Sequence, residues 1–257
     1  GIVNFTQVDF VTLGGMLLFG ALISAKLPLT LALPAAVAGV VLTGALVEFM
    51  GLRPSRSRNH LVLIFLTIGL SIVLRGAIKL IWGKTSLAVP PLAGETPLTV
   101  LGASIMPQAV WILLITALAI VLLVLFFGKT TTGLAMRAVA SNPTAAAVVG
   151  LRVPRVRTLS FALAGALGGL AGALVTPITT LRYDVGVLLG LKGFSAAILG
   201  GFGSFPGAIV GGLSLGLLES LGAAYVSSAW KDAIAFLVLL FVLFVRPHGL
   251  MGKAASP

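Results

Sequence analysis

Long apolar runs alternate with short polar or basic breaks along the chain. Residues 1–9, GIVNFTQVD, are polar for their surroundings. Residues 10–24 form an apolar run of about 15 residues, short of the roughly 20 that a spanning helix needs. Lys26 and Pro28 end it, and residues 29–49, with Pro34 inside, form a second run. The basic break at 51–60, GLRPSRSRNH, precedes a span predicted over 61–82, whose far end carries Arg75 and Lys79. Residues 83–108 hold Pro90, Pro91, Pro97 and Pro107 with one acid, Glu95, and predict an outer loop with a short extended pair. Residues 109–127 give the cleanest span and 158–176 a glycine-rich one. After the polar turn Arg182-Tyr183-Asp184, residues 185–227 predict two short helices joined by GGFGSFPG at 200–207. A last apolar helix is predicted from Trp230 to Val245, ended by Arg246-Pro247-His248.

This pattern predicts an all-α, polytopic membrane protein with about seven membrane segments, some short, broken or re-entrant. Residues 1–257 read as a single transmembrane domain. Strand-like alternation is absent, which argues against a barrel. Composition agrees. Hydrophobic residues make up 58% of the chain, charged residues 9%, and mean hydropathy is +1.16, whereas soluble domains carry about 25% charge.

The net charge of +11 sits in short loops between apolar runs. Membrane orientation and anionic lipid explain it better than nucleic acid does. Cysteine is absent, which removes disulfides, thiol catalysis and cysteine metal sites. His60 and His248 both read as loop residues, and the carboxylates are scattered. There is no phosphate-binding GxxxxGK[ST] run, and Ser204 lacks the strand–turn–helix context of a hydrolase elbow. No catalytic residue, cofactor or metal site is assigned.

The basic residues set the orientation, because Lys and Arg resist translocation. Arg53, Arg56 and Arg58, residues 129–157, and Arg246 with Lys253 are placed inside. Residues 83–108, Arg182/Asp184 and Lys231/Asp232 then fall outside. The stretch 129–157, KTTTGLAMRAVASNPTAAAVVGLRVPRVR, carries Lys129, Arg137, Arg152, Arg155 and Arg157 and no acid. Asn142 suits an N-cap, Pro143 the first helical position and Gly150 the position just past the helix end. A short helix over 144–149 at the inner face follows. It is either a surface that a cytoplasmic partner grips or a solvated linker that only sets topology.

Gly165/Gly169, Gly168/Gly172, Gly203/Gly207/Gly211 and Gly212/Gly216 repeat the small-xxx-small spacing. Such faces either pack helices closely or break them to line a polar path. Arg75 and Lys79 are expected to snorkel to outer headgroups. Glu219 and Lys192 lie in apolar helices as a structural pair or as part of a path.

Three stretches carry a family resemblance. GIVNFTQVDFVTLGG at 1–15 resembles the G-x-x-N-F-x-x-x-[DE] segment of branched-chain amino acid ABC transporter permeases. MRAVASNPTAAAVVGLRVPRVRTLSFALAGALGGLAGAL at 136–174 is similar to their coupling loop and the helix after it. GLKGFSAAILGGFGSFPGAIVGGLSLGLLES at 190–220, with the RPHGLMG ending at 246–252, is similar to their C-terminal part. In that family an acid is common where this chain has Ser141-Asn142-Pro143, and Glu-Ala-Ala-then-Gly survives here only as alanines followed by Gly150. The resemblance also implies a first spanning helix ahead of Asn4-Phe5, expected to be missing because the sequence is a fragment.

The resemblance implies a permease subunit of an ATP-driven importer in a bacterial-type inner membrane. Its implied partners are a second related permease, two cytoplasmic ATPases that carry out the chemistry, an extracytoplasmic binding protein, and membrane lipid. It implies that the loop docks on an ATPase. Arg137, Asn142, Pro143, Ala145, Ala146, Ala147, Gly150 and Arg152 are assigned to that coupling, with a small alanine face for close approach and arginines for acidic groups at the rim. The substrate path is assigned to Asn4, Phe5, Thr6, Gln7, Asp9, Lys192, Gly200, Gly201, Gly203, Ser204 and Glu219. Residues 1–15 and 190–207 are expected to face each other near mid-membrane, where helix ends meet the two ends of a zwitterion. The alternative is an ion-gradient-driven secondary transporter or channel, which needs intramembrane carboxylates for coupling. Only Glu219 suits that role by sequence. Which amino acid, amide or urea is carried is not set by the chain.

Overall fold

The computed structural model describes residues 4–55, 59–92, 94, 96–100, 103–201, 203–225, 227–246 and 249–251. Arg56, Arg58, Glu95, Pro247, His248 and Lys253 lie outside the described residues. The chain packs as two compact units, Gly1–Val187 and Leu188–Pro257.

The first unit contains α1 (Gln7–Phe19), α2 (Leu29–Leu46), α3 (His60–Trp82), the strands β1 (Leu98–Val100) and β2 (Ala103–Ile105), α4 (Pro107–Lys129), α5 (Thr131–Ser141), α6 (Pro143–Val148) and α7 (Val153–Val175). α8 (Val185–Gly200) leads into the second unit, which adds α9 (Phe205–Tyr225) and α10 (Lys231–Val245). Among the described residues, six helical stretches are long and apolar enough to cross a membrane, and α8 and the end of α10 are shorter apolar helices.

Helix ends follow local chemistry. Asn59 caps α3 by accepting from the Leu61 amide at 3.0 Å, so His60 opens a helix rather than sitting in the loop expected for it. Thr130 caps α5 by accepting from the Gly133 amide at 3.0 Å. Pro107 and Pro154 occupy first-turn positions of α4 and α7, where a missing N–H costs nothing. α1 and α2 each widen into a π-helical turn, Gly20–Ser24 and Val47–Leu52. With its π turn the first helix reaches 18 residues, Gln7–Ser24, longer than the run that began at Phe10. The helix starts earlier, its first amides at Gln7 and Asp9 donating to the backbone carbonyls of Asn4 and Thr6.

The core of the first unit is α7 set against both α1 and α2. The sequence spacing Gly165/Gly169 and Gly168/Gly172 is what permits it. A Cβ at Gly165 would stand 2.5 Å from the Val40 carbonyl oxygen, and one at Gly168 would stand 2.8 Å from the Phe10 Cβ. A Cβ at Gly172 would collide with the Val11 carbonyl, and Gly14 and Gly44 meet the Gly169 and Phe161 carbonyls just as closely. Lipid tails are as apolar as leucine, so close backbone approach supplies the cohesion that burial cannot. Phe10, Leu13, Met16, Val40, Ile78 and Leu181 fill the space beside this seam. α4, by contrast, has the highest hydropathy of the spans and no buried residue in its apolar window. It presents its apolar length outward.

The outer loop contains the expected extended pair. β1 and β2 are antiparallel with Leu98 opposite Ile105. Gln108, 2% exposed, accepts from the Leu92 amide at 3.1 Å and donates to the Leu174 carbonyl at 2.8 Å. Leu87 and Leu181 exchange backbone bonds of 2.9 and 3.1 Å. The loop is thus tied to the end of α7 and to the segment after it.

In the second unit α8 and α10 are short, with 16 and 15 residues. α8 measures about 24 Å, less than a hydrocarbon core of about 30 Å. α9, expected to be short, has 21 residues. The glycine turn is tighter than 200–207. It is confined to residues 201–204, with left-handed backbone at Gly201 (φ 110°) and Gly203 (φ 83°), and Gly207 lies inside α9 against the Gly200 carbonyl. The chain end then returns. The amides of Leu250 and Met251 donate to the carbonyls of Leu199 and Gly200 at 2.8 and 2.9 Å, which satisfies acceptors that a helix C-terminus leaves open.

Two glycine pairs with the same spacing differ in what surrounds them. Gly172 has no room for a methyl group, whereas a Cβ at Gly212 or Gly216 would meet nothing within 4 Å among the described residues. We expect Gly172→Ala to destabilise the detergent-solubilised protein by about 1–3 kcal/mol, the cost of overpacking, and Gly216→Ala to leave it within about 0.5 kcal/mol. Thermal unfolding followed by size-exclusion recovery compares them directly.

Candidate substrate path and coupling surface

The polar residues at the start of α1 are brought together below the ends of the neighbouring helices. Gln7 donates through Nε2 to the Ala164 carbonyl at 3.1 Å, and the Phe5 amide donates to Thr67 Oγ1 at 3.4 Å. Ala164 is eleven residues into α7 and Thr67 seven residues into α3, or about 16 and 10 Å along those helices. A helix therefore begins within the depth of the bundle. Asn4 Oδ1 accepts from the Thr6 amide at 3.1 Å and from Thr6 Oγ1 at 2.5 Å. Asn4 Nδ2 is buried and has no acceptor among the described residues. Thr12 Oγ1 accepts from the Gly186 amide at 2.9 Å and so anchors the first turn of α8.

Asp9, on the next turn, is fully buried and already matched. Its Oδ1 accepts from Arg75 Nε at 3.0 Å, and Oδ2 accepts from Ser71 Oγ. Arg75 was expected to snorkel outward; instead it turns inward to this carboxylate, with 28% of its side chain exposed. A fully buried carboxylate without a counter-charge would cost far more than any headgroup contact returns. Lys79, one turn on, places Nζ 5.6 Å from the Tyr183 ring centroid, a cation–π contact rather than a lipid one.

A second clasp was invisible in the sequence. Glu48, in the π turn after α2, is fully buried. Arg157 Nη2 donates to its Oε1 at 3.1 Å and Thr158 Oγ1 donates to its Oε2 at 2.5 Å. The one advance signal was a lone acid at the end of an apolar run facing a basic loop.

In the second unit Lys192 and Glu219 do pair. Lys192 Nζ lies 2.9 Å from Glu219 Oε2 and 2.6 Å from Asp232 Oδ1. The cluster brings together one residue each from α8, α9 and α10. Asp232 is thus drawn to Lys192, where sequence proximity pointed to Lys231.

The basic loop is more ordered than a linker. It forms α5, α6 and the first turn of α7. Asn142 Oδ1 accepts from the Thr144 and Ala145 amides, each at 3.0 Å. At the other end Gly150 (φ 87°) and Leu151 donate to the Ala147 and Ala146 carbonyls, each at 3.0 Å, a Schellman closure that needs the left-handed residue. The alanines do not share one exposed face. Ala145 and Ala147 are exposed, whereas Ala146 is turned inward and only 4% exposed. The exposed apolar surface of α6 is instead Val148 with Val149 beside it, at 84% and 76%. Arg137 and Arg152 are exposed.

Membrane-length helices, a helix start within the bundle, matched internal charges and a capped helix on a basic face define a multi-pass transport subunit. Known proteins agree. The chain matches the family described as branched-chain amino acid transport system / permease component over residues 1–243. It is 34% identical over 214 residues to the high-affinity branched-chain amino acid transport system permease protein LivH of Escherichia coli K12, covering 80% of this chain and 69% of that one. It is 32% identical over 269 residues to the corresponding BraD of Pseudomonas aeruginosa, covering 98% and 87%. It is also 28% identical over 271 residues to a probable LivH of Methanocaldococcus jannaschii, covering 97% and 82%. No solved structure matches the chain. The chain belongs to this permease family, and it is a multi-pass protein of the inner membrane.

The Asp9–Arg75 pair fixes α1 against α3. Removing one partner strands a buried charge, typically at about 3–5 kcal/mol. We expect Asp9→Ala and Arg75→Ala each to lower thermal stability sharply, and the double variant to be less damaged than the sum of the two. A double-mutant cycle in detergent reads the coupling directly.

Proposed function

We propose that the chain is a membrane-spanning subunit of an ATP-driven importer and passes branched-chain or closely related amino acids inward. In this reading an extracytoplasmic binding protein delivers substrate. A second, related permease completes the path, and two cytoplasmic ATPases hydrolyse ATP. The observation that carries the reading is α6, a helix capped at both ends that exposes Val148 and Val149, in a stretch where Arg137 before it and Arg152 after it are exposed as well. An exposed apolar pair in a stretch whose charges are all basic suits a groove with an acidic rim. Asn142, Pro143 and Gly150 shape this helix, Ala145 and Ala147 keep its flanks low, and Ala146 seats it on its own subunit.

The charge pattern favours this class over an ion-coupled transporter. Each described carboxylate has a basic partner: Asp9 has Arg75, Glu48 has Arg157, Asp184 has Arg182, and Glu219 and Asp232 share Lys192. A proton or cation relay needs a carboxylate that is available to its ion.

For the path itself we propose the start of α1. Asn4, Thr6 and Gln7 present neutral polar groups at a helix N-terminus, with Phe5 beside them. Such groups hold a zwitterion weakly, so it leaves again. Asp9 braces this end through Arg75 and does not meet substrate directly. In the second unit the turn formed by Gly200, Gly201, Gly203 and Ser204 is proposed as a separate contact with moving substrate, because its left-handed glycines carry no side chain to shield the backbone. Lys192 and Glu219 brace that unit through Asp232.

Val148→Asp places a charge on the proposed docking surface. A hot-spot loss of about 2 kcal/mol weakens ATPase association roughly thirtyfold. Amino acid uptake should fall in step, with unchanged membrane expression on a matched blot. Normal uptake and normal ATPase co-purification would remove α6 as the contact. For the path, a cysteine replacing Asn4 should react with a small water-soluble thiol reagent, and saturating substrate-loaded binding protein with ATP should change the rate. A thiol inert in every state of the cycle would exclude the start of α1.

A further inference from the structure

Three arginines from two separate segments converge on one cavity of about 320 Å³ at a membrane face of the first unit. Arg53 follows the π turn that ends the second span, Arg152 is the N-cap of α7, and Arg155 lies in the first turn of α7. Ala147, Leu151 and Pro154 supply apolar walls. All three arginines are exposed, and no carboxylate lines the cavity among the described residues. The acid closest to Arg53 in sequence, Glu48, is fully buried and committed to Arg157 and Thr158. The Arg53 guanidinium lies 5.0 Å from the Phe49 ring centroid, a contact that brings no negative charge. Three positive charges are therefore held together without compensation, and the N-terminal dipole of the 23-residue α7 adds to their field.

The surroundings decide what kind of anion fits. The cavity sits where two membrane-length helices, Leu29–Leu52 and Val153–Ile178, both end. Just below Arg53, toward the apolar length of its helix, Phe49 and Met50 are 54% and 70% exposed. A ligand here meets guanidinium groups at its head and bare apolar surface beneath. We propose that this cavity holds the phosphate of an anionic phospholipid, whose acyl chains run down past Met50 and Phe49. Guanidinium forks match phosphate oxygens two at a time, and basic pockets at helix ends on the cytoplasmic side suit such headgroups. The site ties the end of α2 to the root of the coupling helix, so lipid bound there stiffens the joint between α6 and α7. The inference rests on the membrane placement of α2 and α7 and holds for any cargo.

The test uses the complete purified importer, delipidated and examined by native mass spectrometry. Palmitoyl-oleoyl phosphatidylglycerol, phosphatidylcholine of the same chains, or inorganic phosphate is added in separate arms. Wild type should retain phosphatidylglycerol over phosphatidylcholine. Arg53→Gln/Arg155→Gln, which spares Arg152, should lose that preference by roughly thirtyfold, about 1 kcal/mol for each charge near the surface. Arg53→Lys/Arg155→Lys should keep most of it. Should the glutamine variant fail to assemble, Arg53→Gln alone, at an exposed position, should still lose several-fold. Equal retention of the two lipids by wild type, or an unchanged preference in the variants, overturns the proposal. So does displacement of the lipid by millimolar phosphate, which would mark a free-anion site. Loss of ATPase from the glutamine variant with lipid retention intact would assign the arginines to an acidic protein surface instead.

Discussion

The backbone of α7 runs against the backbones of α1 and α2 at a separation that only glycine permits. Gly165, Gly168, Gly169 and Gly172 face Val40, Phe10, Gly14 and Val11, and any Cβ there would overlap main chain or side chain. In an apolar solvent this dispersion-rich contact replaces the hydrophobic drive that builds soluble cores. Because the seam fixes α1 so close to α7, it also fixes where α1 begins. Gln7 reaches the Ala164 carbonyl, and the chain before it must lie within the bundle. A polar helix start at that depth is tolerated only because protein groups receive its donors and acceptors.

Charge is handled on the same principle. Buried Asp9 and Glu48 would be prohibitive alone, and each is met by an arginine and a hydroxyl, Arg75 with Ser71 and Arg157 with Thr158. Such pairs add little net stability over apolar packing, but they are intolerant of being broken. They therefore act as register pins, one joining α1 to α3 and one joining the end of α2 to the start of α7. In the second unit, Lys192 performs the same task for α8, α9 and α10 through Glu219 and Asp232.

The Glu48 clasp links the membrane bundle to the segment that carries α6, the proposed coupling surface. α6 ends in a Schellman closure and α7 begins at Val153, five residues after Val148, with Arg157 held by Glu48 one turn further on. Val148 and Val149 are thus joined to α7 by a short, bonded joint rather than by a slack loop, and in the proposed coupling a push on them travels along α7 to α1. Arg53, Arg152 and Arg155 flank that joint.

By itself the sequence determined the class of fold, most of the spans and the short capped helix α6. Apolar length, positive loops and turn residues act locally, so Asn142, Pro143 and Gly150 marked α6 to within a residue, and the prolines of the outer loop marked its irregular path. Glycine spacing marked the face of α7 that packs tightly. Which glycines pack was decided only in three dimensions. Gly172 is pressed against α1 and Gly216 faces open space, since identical spacing says nothing about what lies opposite. The same holds for charge. Arg75 looked like a lipid-facing cation, Asp232 like the partner of Lys231, and Glu48 like nothing at all. Their actual partners are sixty or more residues away for Arg75 and Glu48 and forty away for Asp232. Ala146 could not be told from Ala145 and Ala147 until the turn of the helix placed it inward. Local chemistry is written along the chain, but the pairing of buried charges and the depth at which a helix begins depend on contacts that only the folded bundle makes.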